Sequence, residues 1–501
     1  MQGRKDYTEK LFTSFQLSSR IPRENFYRRL KETLDLGFLY RDTKTLYGRT
    51  GNPSIDPVVF FKLMLTGYLE NITSDRKLVE HCSMRMDILY FLGYDIDEEL
   101  PWHSTLSRTR QLYPEALFES LFEKVFCLCA DRGMVAGHTQ AIDSAPIKAN
   151  ASMESLLVKQ PKESVRMHLA GVRRENGEEG KQQGVISASE HQLKKLEKYQ
   201  QKLKGAVGSP GASHGKARLV SNMTHYSPTD PDARISVKPG KARKLNYHCS
   251  LAVDTAQGVI SHVQADFADG RDSQHLPGIV GKLQQRLKDH QLPMQDLVAD
   301  AGYSNGANYA LLEQRGITGW IPVFGKYKPE IEGFPYDEQA DCFTCPAGKA
   351  LPFKSYDTTA DGGLVKVYLA RYQDCKNCPL KSSCAPKSPC RQIRRTAYDK
   401  EYRRALQRQE STRGRRMKGL RQSTVEPVFG TLVHHYGMRK VGVRGKAGAR
   451  KVMLMAAVAF NLKKYLKFNS VKAEGQAMAL QKEHYRAFLS YSFTSGALFL
   501  N

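Results

Sequence analysis

The sequence predicts an α/β protein with an all-α N-terminal domain and two inserted segments, one rich in cysteine. Three observations carry this expectation. Apolar residues up to about position 130 recur at helical spacings of three and four. Strand and helix signals alternate over 131–150 and 245–325 and resume over 405–467, which reads as one core. Two polar segments, 151–244 and 326–404, break that order, and the second holds six of the ten cysteines. Residues 468–501 form a tail of ambiguous pattern.

The N-terminal part (1–130) reads as helices. "DPVVFFKLMLTGYLENI" places Val59, Leu63, Thr66 and Leu69 on one side, with Phe60 and Met64 beside them. "EALFESLFEKVFCLC" repeats Leu117, Leu121 and Val125 at spacing four. "HSTLSRTRQL" begins with Ser104, a suitable N-cap, and carries Arg108 and Arg110 early in its helix. A helix of this kind can enter a DNA groove; the competing interpretation is a solvated basic face.

Strand signals follow. "HTQAID" reads as a strand ending at Asp143, and "YHCSLAVD" and "VISHVQADF" flank "TAQG" as a β-hairpin. "SQHLPGIVGKLQQRLKDH" is an amphipathic helix, "QDLVAD" a short strand ending at Asp300, "NYALLEQRG" a helix closed by Gly316, and "ITGWIPV" another strand. In the later stretch, Val425, Phe429, Leu432, Val433 and Tyr436 share a helical face. The insertion 151–244 is Lys-rich. It contains a helix, "SEHQLKKLEKYQQKLKG", with Leu193, Leu196 and Leu203 at a spacing that permits a short coiled coil, and then a flexible "GAVGSPGASHGKA".

Lys and Arg number 76 against 51 Asp and Glu, a net charge of +25. This excess argues for a polyanionic partner, nucleic acid before an anionic membrane surface. The start "MQGRKDYTEKLF" lacks the apolar run of a signal peptide, and "VMLMAAVAFNL" is too short to span a bilayer. A cytoplasmic protein without membrane partners is expected. In a reducing compartment, clustered cysteines point to metal rather than disulfides.

One carboxylate stands out. Glu426 is the only Asp or Glu between Glu410 and Glu474, inside a strongly basic region. Asp143 is placed on the first strand, Asp300 at the end of a later one and Glu426 on the last helix. That order of strand, hairpin, helix, strand, helix, strand and helix is the ribonuclease-H-like arrangement. Neighbouring strands and a crossing helix would bring the three acids together, where their repulsion calls for a divalent cation. Hard oxygen ligands suit Mg²⁺ or Mn²⁺. Each acid also has an ordinary explanation: a strand end for Asp143, a turn for Asp300, and for Glu426 a capping box with Ser423. Asp254, Asp266, Asp269 and Asp272 are accounted for by hairpin and turn chemistry.

These stretches carry a family likeness. "AIDSAPIKANAS", "TDPDARISVKPGKARKLNYHCSLAVD", "LVADAGYSNGANYALLEQRGI", "CKNCPLKSSC" and "QSTVEPVFGTLVHHYGMRKVGVRGKAGARKVMLMAAVAFNLKK" resemble DDE transposases of bacterial insertion sequences, closest to the insertion-sequence 1182 family. The segment "GNPSIDPVVFFKLMLTGYLENITSDRKLVEHCSMRMDILYFLG" is similar to the helical domain that precedes such cores. The resemblance implies that Asp143, Asp300 and Glu426 are the catalytic, metal-holding acids. It also implies that the partner is double-stranded DNA, as inverted repeats and target, with a homo-oligomer assembled on it. Relatives carry an Arg ahead of the Glu, a place Arg421 can fill, and a Lys one or two helical turns after it. Position 433 is Val, so phosphate contacts fall instead to Arg439, Lys440 and Arg444.

Cys342 and Cys345 form one C-x-x-C pair and Cys375 and Cys378 another, with Cys384 able to replace one member. Paired knuckles suit structural Zn²⁺. The expected function is a transposase that cuts DNA at its terminal repeats and transfers the strands. The alternatives are a ribonuclease-H-like nuclease without strand joining and a domesticated, non-catalytic DNA-binding protein.

Overall fold

A computed structural model describes Lys5 and residues 14–48, 54–161, 187–204, 220–236, 242–325, 327–359 and 363–468. The segment "GAVGSPGASHGKA", most of the N-terminal start and the tail after 468 lie outside the described residues. The chain divides into two compact units, Met1–Val135 with Met455–Asn501, and Ala136–Leu454.

The first unit is helical. Its centre is the helix Pro57–Leu69, which starts on an Asp56 cap whose side chain accepts from the amides of Val58 and Val59. Pro at the first helical position costs nothing, because that N–H has no partner inside the helix. Sequence spacing suggested one apolar side. In fact Phe60, Phe61, Leu63, Met64, Leu65, Thr66 and Gly67 are all buried, so the helix is enclosed on every side. The surrounding layer includes Glu115–Asp131, which buries Leu117, Leu121 and Val125 as expected, together with three Phe residues. Phe60, Phe61, Tyr113 and Phe118 form a packed aromatic group.

The helix with the two arginines runs His103–Leu112. It is not capped by Ser104, which lies within the first turn; Trp102 precedes the helix and supplies no side-chain cap. Arg108 is exposed. Arg110 points the other way. Its guanidinium forms a two-point bond to Asp75, at 2.7 and 3.1 Å, and its side chain is only 12% exposed. The expectation that Arg110 contacts DNA is therefore corrected: helical geometry turns it inward, where Asp75 compensates its charge.

The second unit is built on a mixed sheet. Strand β1 (Thr139–Lys148) comes first. The inserted segment contributes β2 (Leu157–Val158), β3 (Gln160–Pro161), β4 (Ser187–Ala188), the helix Glu190–Lys204, β5 (His225–Tyr226) and β6 (Arg234–Ser236). Of the three leucines considered for a coiled coil, Leu196 is buried in the chain itself, and the side chain of Leu203 lies outside the described residues. The hairpin β7 (Lys244–Asp254) and β8 (Ile260–Phe267) follows, then the helix Asp272–Asp289, β9 (Asp296–Val298), the helix Gly306–Gln314 and β10 (Thr318–Trp320).

The sheet order is β10-β9-β1-β7, with β8 and the short β6 both on the far edge of β7. β1 is antiparallel to β7, with Asp143 opposite Leu251, and parallel to β9, which is parallel to β10. β1 does not end at Asp143 but continues to Lys148, because β7 is long enough to pair with it throughout. From Leu245 to Asp254 every residue of β7 is buried, as expected of a strand covered on both faces. Asp254 closes the hairpin base by accepting from the amides of Gly137 and Ala256 and from Gln140.

The cysteine-rich segment folds as its own antiparallel sheet, β11 (Tyr336–Asp337), β12 (Cys342–Thr344), β13 (Ala350–Thr358), β14 (Leu364–Leu369) and β15 (Gln392–Thr396). Phe343, Leu351, Tyr368 and Ile393 make its small core. The chain then returns to the main sheet through Asp399–Glu410 and the long helix Thr412–His435. Between these helices Ser411 caps the second by accepting from the Gly414 amide at 2.9 Å. A side chain at position 414 would strike the Arg408 carbonyl, 2.0 Å from a β-carbon placed there, so the turn requires glycine.

Truncating the buried pair tests the corrected role of Arg110. Arg110→Ala should lower the stability of the helical unit by about 3 kcal/mol, since Asp75 is left as an uncompensated charge. Arg108→Ala should leave thermal melting unchanged. Equal melting of the two variants would contradict the structural role.

Candidate active site

The middle of β1, the turn after β9 and the long helix bring the expected acids into one region. Asp143 lies midway along β1, half-buried, and its Oδ1 accepts from the following Ser144 amide at 2.8 Å. Asp300 follows β9 by two residues and caps the short turn Ala301–Tyr303, accepting from the Gly302 amide at 2.9 Å. Glu426 is exposed on the helix Thr412–His435. The capping box with Ser423 is not formed. The helix begins eleven residues before Ser423, at Thr412, so Glu426 sits deep in its interior. Ser423 instead donates back to the Leu420 carbonyl at 3.1 Å.

Arg421 joins two of the acids. Its Nη1 is 2.9 Å from Asp143 Oδ2 and its Nη2 is 2.9 Å from Glu426 Oε1. The Arg421 side chain is only 12% exposed. Arg421 was expected on a DNA phosphate; it is bonded to carboxylates instead, because it is the one cation that reaches both from the same helix. Among the described residues no three His, Cys, Asp or Glu side chains are arranged to hold a metal ion.

The electrostatics around Asp143 are unfavourable to its charge. Burial is the largest effect and raises its pKa to about 6. The Ser144 amide and Arg421 oppose the shift, while Asp300 and Asp272 add to it. The donors are carboxylate oxygens, the ligand type that a hard divalent cation takes.

Asp272 was assigned to turn chemistry from the sequence, and the structure corrects that. It is the first residue of the helix Asp272–Asp289, and its Oδ1 accepts from Ser144 Oγ at 2.8 Å. Nothing in the local sequence separates it from Asp266 or Asp269. Only the packing of this helix beside β1 does so. Asp266 and Asp269 pair respectively with His275 and Arg234.

A cavity of about 370 Å³ opens beside Asp300, lined by Trp320, Ile321, Pro322, Met417 and Arg421 among others. Arg439, Lys440 and Arg444 are exposed on the segment after the long helix. The backbone of that segment is tied to the end of β1, where the Val441 amide donates to the Lys148 carbonyl at 2.8 Å.

The cysteines group as the alternative in which Cys384 stands in for one member of the two pairs. Cys345, Cys375, Cys378 and Cys384 line one small pocket of about 30 Å³. Cys342, on β12 opposite Pro352, is not among the residues lining it. The C-x-x-C pair 342/345 is split because successive strand residues point to opposite faces and the chain turns after Thr344. None of the ten cysteines is in a disulfide.

Asp143 gives a pH test. Its folded pKa lies above the ordinary carboxyl value, so the stability it contributes is complete below about pH 4 and is lost as pH rises through about 6. In cation-free buffer at about pH 8, Asp143→Asn should be more stable than wild type by up to about 3 kcal/mol, with the gap closing toward about pH 4. A variant less stable at the higher pH would mean that the bond to Arg421 outweighs burial.

Comparison with known families places this geometry in context. The chain matches the family described as Transposase domain (DUF772) over residues 15–112 and the family described as Transposase DDE domain over residues 344–466. The second match includes Glu426 but neither Asp143 nor Asp300. No curated protein matches the chain. Among the described residues no helix is long and apolar enough to cross a membrane. A DDE domain implies a ribonuclease-H-like core, a divalent metal and an enzyme of nucleotidyl transfer and DNA cleavage. The two matches together support an insertion-sequence transposase acting on DNA.

Proposed function

We propose that this chain is a transposase of the insertion-sequence 1182 type, that its mixed sheet is a ribonuclease-H-like core, and that Asp143, Asp300 and Glu426 are its catalytic acids. The enzyme would bind the terminal inverted repeats of its element, cleave DNA strands there and join the 3′ ends to target DNA. The observation that carries this is Arg421 bonded to both Asp143 and Glu426, residues far apart in the chain that packing has brought to one guanidinium. The strand order, with a central β1 antiparallel to one neighbour and parallel to the other, supports the same core.

Asp143, Asp300 and Glu426 would hold Mg²⁺ or Mn²⁺, which when bound supplies activation of a water or 3′-hydroxyl and stabilisation of the leaving oxygen. The chain's own residues do the rest. Arg421 neutralises Asp143 and Glu426 and is free to turn to a phosphate once another cation takes over those acids. Exposed Arg439, Lys440 and Arg444, fixed through the backbone beside β1, are placed to contact the DNA backbone. Such contacts position the duplex without reading sequence. Arg108, exposed on the helical unit, is a further candidate. Assembly as a homo-oligomer on DNA belongs to the same proposal.

Conservative amides test the acids. Asp143→Asn, Asp300→Asn and Glu426→Gln should each bind inverted-repeat DNA yet lose strand cleavage in Mg²⁺ by on the order of a thousand-fold or more, since groups acting as one site fail together. Near wild-type cleavage by any one variant would remove that acid from the site. Cleavage by the wild type with no joined product would favour a nuclease.

We further propose structural zinc at Cys345, Cys375, Cys378 and Cys384, which share a pocket. Protein purified without chelator should carry about one zinc per chain, and Cys375→Ser should lose it along with stability of the cysteine-rich sheet. Zinc-free wild type would reject the site.

A further inference from the structure

The stretch "TDPDA" (229–233), near the end of the inserted segment, plays no part in the chemistry of the three acids. Both of its aspartates are engaged at one place, the start of the helix Lys446–Lys467. Asp230 is fully buried, at 0% exposure. Its Oδ1 accepts from the Tyr247 hydroxyl at 2.6 Å and from the Gly445 amide at 3.0 Å. Asp232 Oδ2 accepts from the Lys446 amide, also at 3.0 Å. The Gly445 carbonyl takes the first bond of the helix, from the Ala449 amide at 2.9 Å, so Gly445 holds the cap position. A φ of +79° favours glycine there, and glycine has no side chain with which to cap. The helix instead draws its acids from 214 and 215 residues away, and their charge faces the positive end of its dipole.

Capping alone would explain a stable helix start. The location of the cap does more. The two bonded amides directly follow Arg444, so the same bonds fix the backbone on its C-terminal side. On the other side the Val441 amide donates to the Lys148 carbonyl at 2.8 Å, and Asn150 Nδ2 donates to the Gly442 carbonyl at 3.2 Å. Val443 lies against the first helical turn: a β-carbon on Gly448 would stand 2.9 Å from Val443 Cγ2. Lys446 Nζ lies 4.8 Å from the centre of the Phe267 ring, which Arg234 also covers, at 4.5 Å. Arg444 is thus an exposed cation on a backbone held from both ends.

We propose that Asp230 and Asp232 are positioning residues for DNA binding, which hold Arg444 in place to meet a phosphate. The inference rests on the reading of Arg444 as a DNA contact. A segment ordered beforehand loses less conformational freedom on binding than a loose one. The inserted segment thereby has a role that is neither catalytic nor in direct contact with DNA. The sign of the effect is distinctive. By charge alone an acid beside this segment repels phosphate, and its removal would tighten binding. As a positioning group, its removal loosens Arg444 and weakens binding.

The test is binding of the full chain to a mixed-sequence duplex, read by fluorescence anisotropy, since phosphate contacts need no particular sequence. Asp232→Ala should weaken binding roughly ten-fold, and Asp232→Ala combined with Arg444→Ala should bind like Arg444→Ala alone, because the two residues are coupled. Asp232→Asn keeps an oxygen for the Lys446 amide and should bind near wild type. Asp230→Asn, which keeps an acceptor for Tyr247 and Gly445, should do the same. Tighter or unchanged binding by Asp232→Ala, or losses that simply add in the double variant, would overturn the positioning role. If Arg444→Ala binds like the wild type, this arginine does not contact DNA, and the inference falls with that reading. If Arg444→Ala binds weakly while Asp232→Ala does not, the DNA contact stands and the positioning role alone is wrong. Should Asp232→Ala not fold, Lys446→Pro decides. Proline is tolerated at the first helical position and removes the amide that Asp232 accepts from. Binding no weaker than that of Lys446→Ala would then overturn the proposal.

Discussion

The bond from Arg421 to Asp143 and Glu426 is the interaction on which the arrangement of the second unit turns. Asp143 sits in the middle of a sheet whose partner strand is buried along nearly its whole length. A carboxylate there needs positive charge close by, since desolvation disfavours its ionised form. The long helix supplies it. Because Arg421 and Glu426 are five positions apart on that helix, one guanidinium can also reach the acid beyond it. The helix must therefore cross the sheet in a narrow range of positions. Val425, Val428, Phe429 and Leu432 provide the buried face that holds it there.

This explains why so basic a region keeps a single acid. Elsewhere on the segment from Arg413 to Arg450 a carboxylate would neutralise cations that are best left to solvent or to an anionic ligand. At position 426 the carboxylate shares the Arg421 guanidinium with Asp143 of the sheet. The two requirements meet at one helical position, and Arg421 is the residue common to both.

Charge is handled by burial in other places as well. Arg110 and Asp75 neutralise each other inside the helical unit, so this arginine is structural although its neighbour Arg108 faces solvent. In the cysteine-rich sheet Asp341 accepts from Tyr336 and Tyr368, both at 2.6 Å, and pairs with Lys366. These acids and bases are fully engaged.

Much of this protein was legible in its residues. Apolar periodicity marked the helices Pro57–Leu69, Glu115–Asp131 and Asp272–Asp289, and alternation around "TAQG" marked the hairpin, because burial of side chains at periods of 3.6 and 2 is a local property of the chain. The conspicuous solitude of Glu426 was equally a matter of sequence. What sequence could not determine were relations between distant segments. It could not say that Asp143 lies inside a strand continuing to Lys148, since the partner strand sets that length. Nor could it separate Arg110 from Arg108, Cys342 from Cys345, or Asp272 from Asp266 and Asp269. In each pair the residue types are alike, and direction alone distinguishes them. Direction depends on which element packs alongside, so tertiary structure alone decided which charges meet.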